Sequence, residues 1–158
     1  MPIGYFELVP QVVADEKYID VSRPEIVRCL ETDGSYDIEF DHRTVDDFAN
    51  EVNVVLRINI SCKHPTYPEG WTFTLKLHNT RIDGFDYEEK FTGHDGVQYS
   101  GWHRHIWNVN AQSAERHKVP AVDLNGVASR EEFVIRVLKL LHVSVSATDY
   151  GQDLLPFA

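Results

Sequence analysis

The stretch VVLRINISCKHPTYPEGWTFTLKL, residues 54–77, decides the fold class. Val54, Leu56, Ile58 and Ile60 alternate with Val55, Arg57 and Asn59, and Trp71, Phe73, Leu75 and Leu77 alternate with Thr72, Thr74 and Lys76. A two-residue period places one set of side chains on a buried face and the other toward solvent, as in a half-buried strand. The intervening CKHPTYPEG carries two prolines and a glycine, which end one strand and return the chain antiparallel to it. A long hairpin follows.

Shorter runs at 81–85, 97–99 and 103–109, with the GHDG turn at 93–96 between them, extend the hairpin into an antiparallel sheet of four to six strands. On either side the period lengthens. Ser22 and Glu25 have capping-box spacing ahead of Ile26, Val27 and Leu30, and Gly34 ends that helix. Thr44 to Asp47 reads as the start of a short helix before Phe48 and Val52. Ser129 and Glu132 form another capping box, and Phe133, Val134, Val137, Leu138 and Leu141 then make an apolar stripe over 129–145. The expected architecture is α+β, with helices flanking one sheet and the C-terminal amphipathic helix packed on it. The 158 residues read as a single domain: an acidic helical or irregular part (1–52), the sheet (53–110) and the closing helix (129–145).

Charge is unevenly spread. Residues 1–51 carry thirteen acidic and four basic side chains, whereas the remainder is nearly balanced, and the formal net charge is −10. Such a chain lacks the concentrated basic surface of a broad DNA binder, so RNA enters only as a substrate of a local patch. Asp46, Asp47 and Glu51 are instead candidate contacts for a basic protein partner. No apolar run is long enough to cross a membrane and no signal-peptide pattern opens the chain. Cys29 and Cys62 have no CxxC partner, which suits reduced thiols in a cytoplasm.

The chemistry concentrates in GWHRHIWNVNAQSAERHKVP, residues 101–120. If 103–109 is a strand, His103, His105 and Trp107 share a face. Two neighbouring imidazoles supply an acid and a base near neutral pH, and Arg116 or Lys118 supplies a cation for a charged transition state. Trp102 and Trp107 flank the pair as candidate binding aromatics. A metal site needs more ligands than two. In cupins a His-x-His strand is followed within a few residues by a glutamate, but here the first downstream glutamate is Glu115. His94, Asp95 and His117 remain as donors that only the tertiary fold would bring near, so the expectation is no bound metal and no cofactor.

RIDGFDYE at 81–88, then HDG, WHRHIW at 102–107, KVP at 118–120 and a closing helix resemble a group of small prokaryotic proteins of unassigned function. Over about residues 54–145 the chain is also similar to the TumE-like toxins of toxin–antitoxin loci, with His103, His105 and Pro120 as the matching positions. That resemblance implies a toxin acting on RNA through the His-x-His pair, and a cognate antitoxin as partner. Beside it stand an acidic inhibitor or immunity-type binding protein and a cupin-like metal enzyme.

Overall fold

A computed structural model describes residues 3–146; the rest of the single domain read at 1–158 lies outside them. Six strands form one antiparallel meander in chain order: β2 (Ser35–Val45), β3 (Glu51–Ser61), β4 (Thr72–Leu77), β5 (Thr80–Thr92), β6 (Gln98–Ile106) and β7 (Lys118–Pro120). A second small sheet pairs β1 (Lys17–Tyr18) in parallel with β8 (Val143–Ser144). Among the described residues four α-helices, α1 (Ile3–Phe6), α2 (Val9–Ala14), α3 (Arg23–Asp33) and α4 (Arg130–Leu140), and one 3-10 turn (Val122–Leu124) complete the fold. The α+β architecture with a C-terminal helix on the sheet is as the periodicity predicts.

Ser22 accepts a hydrogen bond from the Glu25 backbone N–H and Ser129 from that of Glu132, so both capping boxes start helices. Gly34 ends α3 at φ 72°, a left-handed conformation in which a Cβ would be strained. The first fifty residues differ from expectation. Ser35–Val45 is a full strand whose eleven residues all pair with β3, and residues 46–50 make the hairpin turn between the two strands where the sequence predicts a helix from Thr44. The Asp46 carboxylate accepts from the Phe48 and Asn50 backbone N–H groups, which closes that turn and uses the capping-type residue locally.

One face of the sheet carries the core. Leu56, Ile58 and Ile60 of β3, Phe73, Leu75 and Leu77 of β4, Phe85 of β5 and Trp102 of β6 point toward the helices. Phe133 of α4 lies 5.0 Å from Trp102 and 5.7 Å from Trp71, ring centre to ring centre, and is fully buried. Two cations lock the helix ends. Lys17, 1% exposed, donates through Nζ to the backbone carbonyls of Val13, Asp15 and Leu141, tying the C-termini of α2 and α4 together. Burial pushes that ammonium down to about 8 against the attraction of Asp83 and Asp15. Arg130 donates to the carbonyls of Leu30 and Cys62, joining α4 to the ends of α3 and β3. Among the described residues no helix is long and apolar enough to span a membrane.

Phe133→Ala should cost about 3–5 kcal/mol of unfolding free energy in a urea titration, as expected for an aromatic removed from a packed core. Phe48→Ala, at a side chain 84% exposed, should stay within about 0.5 kcal/mol of the parent.

Candidate metal centre

Alternation along β6 sets the site. Trp102 and Arg104 face the helix layer, so His103 and His105 face the other side of the sheet. The pairing of β5 with β6 places Asp86 opposite His103 and Glu88 opposite Gly101, bringing two carboxylates to the same face as the two imidazoles. Lys118 of β7 stands opposite His105. The histidine pair is therefore shared by three adjacent strands.

Although none of the described helices packs on this face, the pair is buried: His103 is 0% and His105 3% exposed. The Phe91 ring covers His103 at 4.5 Å between ring centres. The connection from β6 to β7, residues 107–117, folds back through an Asn108–Ser113 bridge and aims the buried Ala114 carbonyl at His105. His105 Nδ1 lies 3.1 Å from that carbonyl oxygen, and its Nε2 lies 2.7 Å from Asp86 Oδ2. A proton on Nδ1 donates to the carbonyl, which aims Nε2 inward at Asp86.

His103 is held differently. Its Nε2 approaches Asp86 Oδ2 at 3.5 Å and Glu88 Oε1 at 3.4 Å, yet among the described residues neither ring nitrogen makes a hydrogen bond. Asp86 Oδ1 is also buried without a partner. Buried polar atoms left unpaired carry a cost of about 1–3 kcal/mol each, so a cluster of three asks for an explanation. Burial alone would raise the Asp86 pKa, but the imidazoles of His103 and His105 and the Arg81 guanidinium, 3.8 Å away, hold it well below the usual carboxylate range.

One donor atom from each of Asp86, His103 and His105 falls within 4.8 Å of the other two. Tetrahedral donors at about 2.1 Å from an ion stand roughly 3.4 Å apart. His103 Nε2 already keeps nearly that distance from both carboxylates, and the His105–Asp86 contact at 2.7 Å would have to widen. Glu88, whose side chain is 42% exposed, is the one of the four that opens to solvent. Its other contact is Lys118 Nζ at 3.3 Å.

The remaining residues singled out in the sequence are scattered. Strand β6 ends at Ile106, so Trp107 does not continue the histidine face; it stacks on Phe6 beside α2. Trp102 is a core residue beneath α4. Arg116 is exposed on the 107–117 connection, while Lys118 is drawn to Glu88. Asp46 holds its own turn, and Glu51 lies 3.8 Å from Arg43 on the exposed side of the hairpin. Of the further donors considered for a metal, His94 approaches the Lys118 carbonyl and His117 the Asn108 side chain, away from the pair. Asp86 and Glu88 reach the pair through the pairing of β5 with β6, which no local pattern around the histidines marks. The visible signal was their own two-residue spacing in a strand upstream of the turn.

Compared with family models, curated proteins and solved structures, the chain matches none. The site's chemistry is read from its residues alone.

Because the folded Asp86 carboxylate is more acidic than an unfolded one, the unfolded chain takes up a proton first as pH falls. The stabilisation is complete above the unfolded value near 3.9 and is lost as pH drops toward the folded value. Urea titrations from pH 6 to 3 should show the parent losing stability more steeply than Asp86→Asn. Parallel curves would show that Asp86 is not the linked group.

Proposed function

We propose that Asp86, His103 and His105 hold one divalent first-row transition ion, with Glu88 at the solvent-side position, and that the protein is a metal-dependent enzyme of hydrolytic type. The observation that carries this reading is the fully buried imidazole of His103, which lacks a hydrogen bond at both nitrogens while Nε2 faces two carboxylates. Two imidazoles and one or two carboxylates suit zinc, iron or manganese, and the Nδ1–H of His105 on the Ala114 carbonyl supplies the outer support that such ligands commonly have. An ion there acts as a Lewis acid and lowers the pKa of a bound water. Glu88, at the open side, is placed to take its proton. Arg81 beside Asp86 and Lys118 beside Glu88 offer cations to an anionic substrate group, which keeps a phosphodiester, including the RNA of the toxin-like reading, within the substrate class.

A metal-free acid and base for RNA has less support. The pair's nearest polar neighbours are the Asp86 and Glu88 carboxylates, which repel a phosphodiester unless a cation stands between them. The cupin-like reading contributes its ligand types but not its spacing, since the carboxylates come from an adjacent strand of an open meander.

A second reading, a binding protein for a basic partner such as an antitoxin, has one specific observation. Phe48 projects from the β2–β3 turn, 84% exposed, and lines a hollow with Tyr5, Leu8 and Val52 whose acidic members are Glu7, Asp46 and Asp47. An apolar anchor ringed by carboxylates fits a cationic, partly apolar surface. The two free thiols, Cys29 and Cys62, suit a reducing compartment and support cytoplasmic residence.

Dialysis against Zn²⁺ or Mn²⁺ followed by elemental analysis should return about one ion per chain, with a melting temperature that rises with free metal. Asp86→Asn, which keeps the volume and loses the charge, should weaken retention at least tenfold, and hydrolysis of bis(p-nitrophenyl) phosphate should require the ion. Absence of stoichiometric metal, or equal retention by Asp86→Asn, would defeat the assignment.

For the binding reading, association with a basic partner should slow about tenfold between low and physiological salt, and further with Asp47→Asn. A rate indifferent to salt removes it.

A further inference from the structure

The opposite face of β6 carries a second feature, independent of the histidine cluster. Between α2 and the ends of β5 and β6 lies a cavity of about 340 Å³ whose walls are mostly apolar: Pro10 and Val13 from α2, Ile82 from β5, and Trp107 and Val109 after β6. An apolar cavity of roughly 150 Å³ is enough to take benzene, so this one admits a larger molecule. Its rim is unusually apolar for a surface, with Ile106 43% and Val109 67% exposed.

The polar part of the wall is one ion pair. Asp83, 2% exposed, accepts from Arg104 Nε at 2.8 Å on Oδ1 and from Arg104 Nη2 at 2.6 Å on Oδ2, and Oδ1 also accepts from the Gly84 backbone N–H. Arg104 is fixed further by lying over the Phe85 ring at 5.1 Å. This fork occupies one edge of the guanidinium. A guanidinium has five N–H donors in a plane, so the edge formed by Nη1 and the second N–H of Nη2 keeps a further planar fork. Nη1 has no hydrogen-bond partner among the described residues, the side chain is 29% exposed, and Arg104 is part of the cavity wall.

We propose that this cavity binds a small monocarboxylate with an apolar body, the carboxylate pairing with the free edge of Arg104 and the body lying against Val13, Ile82 and Trp107. Asp83 holds the guanidinium in place before the ligand arrives, so little side-chain freedom is lost on binding. A charge-assisted, bidentate contact in a partly desolvated site distinguishes an acid from an uncharged molecule of the same shape.

Octanoate, below its micellar concentration, is the probe. Titrated into the full chain, it should change tryptophan fluorescence saturably, and Trp107→Phe should remove the change while leaving Trp71 and Trp102 in place. Octanol should bind at least tenfold more weakly, and acetate, which lacks the body, should not compete. Val109→Asp, at an exposed rim position, should weaken octanoate at least tenfold with the melting temperature unchanged. Equal affinity for octanol and octanoate would overturn the carboxylate assignment. Failure of octanoate to bind, or full affinity in Val109→Asp, would overturn the site. Metal retention at Asp86, His103 and His105 is unaffected by either outcome.

Discussion

Everything distinctive about this chain depends on the register of β6 against β5. Trp102 has to be buried on the helix side, where Phe133 and Trp71 close around it. Strand alternation then leaves His103 and His105 no choice but the opposite face, and sends Arg104 back to the helix side. The same pairing sets Asp86 across from His103. A slip of one residue would expose the tryptophan, bury the wrong set of side chains and separate the carboxylate from the imidazoles. Core packing on one face thus enforces the meeting of Asp86 with the two imidazoles on the other.

That arrangement gives the two faces of one strand different chemistry. On the far side, acidic and imidazole groups converge without enough mutual hydrogen bonds to satisfy them, and the Phe91 ring and a folded-back connection cover the two imidazoles. On the helix side, Arg104 and the Gly84 N–H satisfy Asp83 while Arg104 keeps one donor edge, and the charge they bury is offset within the pair. An unsatisfied cluster calls for a ligand that supplies charge, such as a cation. A satisfied pair with a spare donor edge calls for one that accepts. The contrast follows from hydrogen-bond counting, not from any difference in burial.

Helix attachment relies on similar polar anchors. Lys17 and Arg130 each donate to backbone carbonyls at the ends of secondary-structure elements. Terminal carbonyls lack partners within their own helix, so a buried cation that reaches several at once both satisfies them and fixes how the elements meet. The Asp15 carboxylate plays the matching part, accepting from Gln11 and Thr44 and facing His42, and thereby joins the end of α2 to strand β2.

Local pattern by itself determined the α+β class, the hairpin from Val54 to Leu77, the capped helices at Ser22 and Ser129 and the shared face of His103 and His105. These are decided by periods of two and 3.6 and by caps a few residues long, which a sequence displays directly. It misassigned Thr44 to Val52, because Asp46 can cap a turn as readily as a helix and only pairing along β2 and β3 selects the hairpin. It also placed Trp107 with the histidines, because nothing local marks the end of β6 at Ile106. The carboxylate beside the histidines, the burial of the histidines and the free edge of Arg104 were decided by the tertiary structure alone. Each depends on which residues of a neighbouring strand or returning loop stand opposite, and strand register is a long-range property set by the packing of the whole sheet.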